Sequence, residues 1–180
     1  MKTFRFFLLL LLLVLLTSPW GCAGQETLNR ERVNPIYQEK IRDWQRKIQR
    51  EGWSESGVDS VLTEARGLLT YRMEIRYHWE TPKEFRGRGF SGDCEDIAVF
   101  MMATLRRLEY PHKIRVLIVK SLFEDHALLR VEMPGGGWKP YDVASSAVRP
   151  LDSSRLTPVV EFDETTVVWH SMKGSSVEKR

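Results

Sequence analysis

At 180 residues, with 42% hydrophobic and 28% charged side chains, the chain suits one globular domain and is excluded from the disordered and fibrous classes. The formal charge of +3 falls to about +1 once the first 21 residues, which carry Lys2 and Arg5 and no acid, are set aside. So small an excess gives no electrostatic footprint for nucleic acid, and no nucleic-acid partner is expected.

Lys2 and Arg5 precede an apolar run from Phe6 to Leu16, the charged and apolar parts of an export signal. About eleven apolar residues are too few to cross a bilayer, which takes about 20. Residues 1–21 therefore read as a signal peptide that is removed. Cys22 stands directly after Gly21, and a cysteine at this place resembles the acylation site of bacterial lipoproteins. Ordinary cleavage after Ala23, leaving a soluble exported protein, is the other reading. Residues 22–33 are mainly polar and read as a tether from a lipid on Cys22, with the stretch from Ala23 to Arg32 spanning at most about 35 Å when extended. With Cys22 acylated or removed, Cys94 is an unpaired thiol in an exported compartment.

A domain is expected over residues 34–172. Asn34 and Pro35 read as a helix start, because asparagine caps free amides and proline has none to satisfy. Tyr37, Ile41, Trp44 and Ile48 recur at helical spacing up to Gly52. A second helix is predicted from about Ser54 to Arg66, burying Val58, Val61, Leu62 and Ala65. The alternation of Tyr71, Met73, Ile75 and Tyr77 fits a strand or the end of a helix. Pro82, Gly87, Gly89 and Gly92 interrupt regular structure before Cys94. A helix then carries Cys94, Ile97, Met101, Leu105 and Leu108 on one face, ending near Glu109. Beyond it the period becomes extended: Ile114 to Lys120, His126 to Met133, a turn at Gly135 to Gly137, and Trp138 to Asp142. Val159 to Phe162 and Thr166 to Trp169 suggest a further hairpin, and residues 173–180 read as a charged tail. Helices followed by strands imply an α+β domain with an antiparallel sheet.

The candidate chemistry gathers on three residues. A thiol at a helix N-terminus meets free amides and the positive end of the dipole, which favour the thiolate, and Cys94 is so placed. His126, opening an apolar strand, is the candidate base and acid. Asp142, one hairpin later, is the candidate carboxylate that orients the imidazole. Two cysteines and four scattered histidines show no closed zinc spacing. His78 and Trp79 either line the cleft or pack, and His112 and His170 read as surface residues.

Trp79-Glu80-Thr81-Pro82-Lys83-Glu84-Phe85, Gly92-Asp93-Cys94-Glu95-Asp96-Ile97-Ala98, His126-Ala127 and Trp138-Lys139-Pro140-Tyr141-Asp142 together resemble the transglutaminase-like core. The Gly92–Ala98 string is especially similar to bacterial transglutaminase-like cysteine proteinases, a group that includes periplasmic proteases cutting surface adhesins. The resemblance covers about residues 58 to 143. It implies a papain/transglutaminase-like fold, N-terminal helices with the nucleophile helix packed on the sheet, and a Cys94, His126, Asp142 triad. It also implies calcium as a candidate ligand at Asp93 and Glu95, with no cofactor required by the thiol chemistry itself. The function expected is a cysteine peptidase or acyltransferase acting on cell-envelope proteins or peptides, at the periplasmic or extracellular face of a membrane that holds Cys22. A catalytically silent envelope lipoprotein, binding a peptide or protein in the same cleft, is the alternative.

Overall fold

The computed structural model describes residues 20–73, 78–121, 125–170 and 176–179, and for 20–28 and 176–179 only the backbone. The apolar run Phe6–Leu16, together with Ile75 and Tyr77 of the uncertain strand, lies outside the described residues. Among those described, no helix is long and apolar enough to cross a membrane.

Helix α1 spans Trp20–Glu51 with Pro35 inside it. The helix does not begin at Asn34, and the segment expected to be an extended tether is helical. Its apolar stripe starts two residues before the proline: Val33, Tyr37, Ile41 and Trp44 are all buried. Packing of Val33 therefore carries the helix through Pro35, whose missing amide costs one hydrogen bond. Gly52, at φ 74°, ends the helix and donates to the Ile48 carbonyl at 2.8 Å. Helix α2, Glu55–Arg66, follows with Ser54 as its cap and buries Val58, Val61, Leu62 and Ala65 as the periodicity predicts. Glu64 of α2 accepts from Lys40 at 2.7 Å and from the Trp44 indole at 3.3 Å, tying the two helices together.

Strand β1, Thr70–Tyr71, pairs in parallel with β2, Ser91–Gly92. Between them lies helix α3, Pro82–Gly87, where the sequence reading had placed only a break. Thr81 and Glu84 form a reciprocal capping box, and Pro82 occupies the first turn, where its missing amide would have no helical partner. Helix α4 spans Cys94–Arg107. Phe90 of the following loop and Phe100 of α4 meet both Tyr37 of α1 and Phe85 of α3, with ring centroids 4.9 to 6.5 Å apart. This aromatic cluster holds Phe90 at φ 62°, a left-handed conformation that a bulky side chain adopts only when its surroundings fix it.

The main sheet is antiparallel, in the order β5-β4-β3-β6-β7-β8. Its strands are β3 Ile114–Val119, β4 His126–Glu132, β5 Trp138–Tyr141, β6 Pro158–Phe162, β7 Val167–His170 and β8 Ser176–Lys179. The last lies in the expected charged tail; pairing with it supplies partners for amides that β7 would otherwise leave at an open edge. On one face Ile114, Val116, Ala127, Leu129 and Val131 join the core formed with Ile97, Met101 and Leu105 of α4. On the other, Leu117, Val119 and Leu128 pack against Leu151 and Leu156. Further along, the buried Glu161 pairs with Arg115 at 2.8 Å and with Arg130, and both guanidinium groups lie over the Trp138 ring. The architecture is the α+β arrangement expected, N-terminal helices with the helix that begins at Cys94 packed on an antiparallel sheet.

Candidate active site

Cys94 is the first residue of α4, half-buried, with Asp93 extended at the capping position and making no side-chain cap. Its amide therefore lies among the first four of the helix, which have no carbonyl partner within it, at the positive end of the dipole. The turn leading into Cys94 is tightly closed. A Cβ on Gly92 would stand 2.6 Å from Asp96 Oδ2 and 2.9 Å from Phe85 Cε2, so only glycine fits. The buried Asp96 accepts from the Glu80 amide at 2.8 Å, holding the 79–81 segment against the first turn of α4. Glu95 Oε2 lies 3.3 Å from Cys94 Sγ.

His126 opens β4 opposite Val119, and its Nε2 lies 3.1 Å from Asp142 Oδ1, just beyond β5. His126 is pushed up to about 10 by its hydrogen bond to Asp142 first and by one to Cys94 next, with burial opposing both. Burial also works against the ionised form of Asp142. The His126 hydrogen bond and charge, with the Ser145 and Ala144 amides, nevertheless hold its carboxyl below the usual carboxylate value. Cys94, His126 and Asp142, expected from chain order, are thus brought together: a sulfur, an imidazole that favours its protonated form, and an ionised carboxylate. Such a set can form a thiolate, deliver a proton to a leaving group and recover it.

Residues outside the sequence reading support this geometry. Arg66, read only as the last residue of α2, is buried; its Nε and Nη2 donate to the Ala144 carbonyl at 3.3 and 2.8 Å, and its Nη1 to Leu69 at 2.9 Å. It clamps the loop that carries Asp142; burial lowers the pKa of the guanidinium, and the Asp142 charge opposes that. The Ser145 amide donates to Asp142 Oδ1 at 3.1 Å. Tyr141, preceding Asp142, donates its hydroxyl to Asp59 of α2 at 2.7 Å. An arginine in the last turn of a helix is the one signal the sequence offered, and it equally suits the dipole.

The other residues singled out by the sequence have partners of their own. Trp79 is partly exposed and packs edge-on to Phe162 at 5.3 Å, while His112 lies against Tyr110. His170 is half-buried near Glu161, not on the open surface. Gly135 to Gly137 form the β4–β5 turn, with Gly136 and Gly137 at positive φ. Cys22 lies in the first turn of α1, and its side chain is outside the described residues.

Asp93 and Glu95, the candidate calcium ligands, flank the sulfur. Asp93 is almost fully buried, and its Oδ1 has no hydrogen-bond partner. Burial first, then the hydrogen bond and charge of Glu95 and the charge of Asp96, raise its carboxyl to about 7. Hard carboxylate oxygens, one of them orphaned, suit a divalent cation. Among the described residues, however, no group of three or more His, Cys, Asp or Glu side chains is arranged to hold a metal, so the fit is that of a carboxylate pair.

No family model and no curated protein matches the chain. Solved structures do. Legionella pneumophila LapG in its EGTA-treated form superposes with a TM-score of 0.59 at 20% identity, over 83% of this chain and 90% of that one. Its calcium-bound form gives 0.55 at 21% identity, over 78% and 86%. A Cytophaga hutchinsonii protein described as a candidate cysteine protease gives 0.52 at 14% identity, over 80% of this chain and 49% of that one.

Proposed function

We propose that this protein, which has the fold of the bacterial transglutaminase-like cysteine proteases, is a cysteine peptidase that uses Cys94, His126 and Asp142. The observation that carries the reading is the pairing of His126 Nε2 with Asp142 Oδ1 at 3.1 Å, with Cys94 the first residue of α4; both partners favour the protonated imidazole. Cys94 Sγ attacks the carbonyl carbon of an amide, and the oxyanion is held by the Cys94 amide at the head of α4. The C–N bond breaks as His126 gives its proton to the leaving nitrogen, leaving an acyl thioester. Water then attacks that thioester, His126 takes the proton, and the C–S bond breaks to release a carboxylic acid and restore the pair. An amine in place of water would give a crosslink; nothing in the site selects for one, and hydrolysis is the simpler outcome.

Alkylation by iodoacetamide at pH 7, followed at Cys94 by peptide mass spectrometry, tests the activated thiol. His126→Ala is expected to slow that labelling by about tenfold or more. Equal rates in the two proteins would contradict the reading.

LapG is known in calcium-bound and EGTA-treated forms, and the proposal extends to calcium binding by this chain through Asp93 and Glu95. Bound there, calcium would supply positive charge that keeps both carboxylates ionised beside Cys94. Saturating calcium is expected to raise Tm by about 5 °C in wild type and to leave Asp93→Asn unmoved. An unmoved wild-type protein would show that the pair holds no calcium.

The proposed setting is the cell envelope, with a lipid on Cys22 and with envelope proteins or peptides as substrates. Because α1 is helical from Trp20, Cys22 and Val33 are separated by roughly 16 Å at about 1.5 Å per residue, not by the reach of an extended tether. The cleft would then work close to the membrane. Cys22→Ala is expected to move the protein from the membrane fraction to the soluble fraction, or to stall its processing. An unmodified mature N-terminus at Gly24 would instead make it a soluble exported enzyme.

A further inference from the structure

On the sheet face opposite α4, an open groove of about 480 Å³ begins at His126 and runs between the strand ends and the 150–157 segment. Val119, Leu128, Leu151 and Leu156 line it, with Lys120 and Ser121 at its side. Val119 and Leu128 are buried in the sheet, whereas Leu151 and Leu156 are partly exposed and form its outer wall. The wall is fixed by backbone bonds: Leu151 donates to the Pro140 carbonyl at 2.8 Å, and Lys120 to the Thr157 carbonyl at 2.9 Å. Among the described residues, both cations at the groove already have a carboxylate partner: Lys120 is paired with Asp125 at 2.8 Å, and His126 with Asp142 at 3.1 Å. An acidic group entering the groove would have to compete with those carboxylates, so the chemistry recognised is aliphatic. The volume lies within the usual range of about 300 to 1,000 Å³ for ligand pockets.

We infer that this groove receives the aliphatic side chain of the residue on the amine side of the cut bond, and so sets the substrate class of the peptidase. The inference rests on the proposed roles of Cys94 and His126. The imidazole must reach the leaving nitrogen, so the amine half of the substrate lies on the His126 side of the sulfur. The groove starts at that same imidazole. The side chain carried by the carbon next to the leaving nitrogen is therefore the part of the substrate closest to Val119, Leu128 and Leu156. The carbonyl half lies toward Cys94 and takes no part in this selection.

The reverse half-reaction isolates the groove without knowledge of a natural substrate. Full-length protein is acetylated on Cys94 with p-nitrophenyl acetate, and the acetyl-enzyme is divided between water and an added amine. The amine nitrogen attacks the thioester carbon, the C–S bond breaks, and His126 carries the amine proton back to the thiolate pair. Leucinamide is expected to capture the acetyl group about tenfold better than glycinamide, and aspartic acid α-amide, which keeps its side-chain carboxylate, no better than glycinamide. Because each capture is measured against water on the same acetyl-enzyme, the amount of acetyl-enzyme cancels. Leu156→Asn is expected to bring the leucinamide preference to within about twofold of glycinamide, and Leu151→Asn to reduce it in the same direction. Acetylation of Cys94 with equal capture of leucinamide and glycinamide would overturn the groove while leaving the peptidase reading intact. Failure of Cys94 to acetylate would overturn both.

Discussion

Asp142→Asn is expected to lower turnover of an activated ester by about 10⁴-fold while leaving far-UV and near-UV circular dichroism unchanged. An asparagine keeps the shape and one acceptor but loses the ionised carboxylate, whose hydrogen bond leads the causes raising His126 and whose charge adds to it. The imidazole then sits in the wrong tautomer for part of the time and is a weaker partner for the thiolate. The pH dependence should move as well. In wild type the imidazolium form persists until pH approaches about 10, well above the ordinary histidine value of 6.5. Activity that needs this proton is therefore lost as pH rises through that region. Without the Asp142 charge, the basic limb moves to lower pH, although the Cys94 contact still holds it above the ordinary value. Stability follows the same sign. The raised histidine contributes stabilisation that is complete below about 6.5 and fades as pH rises through about 10, so the variant should lose stability chiefly at acid and neutral pH. An Asp142→Asn protein with wild-type rate and an unmoved basic limb would mean that another group orients His126.

Cys94→Ser is expected to reduce the same turnover by at least about 10⁴-fold, because a hydroxyl in nearly the same volume is a far poorer nucleophile at neutral pH. The fold should survive, since Cys94 is half-buried at the head of a helix whose packing comes from Ile97, Met101 and Leu105. Tm within about 3 °C of wild type is the accompanying result. A serine variant that retains a tenth of the rate would place the nucleophile elsewhere.

The parts of the fold legible in the sequence are those with a strong period and a clear stop. α2, α4 and the β3–β5 meander follow from Val58 to Ala65, Ile97 to Leu105 and the alternation on either side of Gly135 to Gly137. The start of α1 was hidden because Asn34 and Pro35 have the chemistry of a cap, while the residue that overrides it, Val33, counts only once its burial is known. α3 was hidden for the opposite reason. Pro82 reads as a breaker until Thr81 and Glu84 are seen to bracket it as a capping box. β8, with Val177 its one apolar residue, carries no alternation to read. At the site, Cys94, His126 and Asp142 stand out because chain order and side-chain chemistry point the same way. Arg66 does not, since its acceptor is the backbone carbonyl of Ala144, 78 residues away, and a carbonyl leaves no mark on the sequence. The same holds for the groove at His126, whose leucines are indistinguishable from core residues until the sheet face they occupy is known.

The central claim is that Cys94 forms an acyl thioester that His126 helps to make and to resolve. Intact-protein mass spectrometry during reaction with p-nitrophenyl acetate tests it most directly. The account predicts a single acetyl adduct, mapped to Cys94, that builds up within the first turnover, disappears with time in wild type, and persists in Asp142→Asn. An adduct spread over lysines and other nucleophiles, or one that forms on Cys94 at the same rate in wild type and His126→Ala, would contradict it.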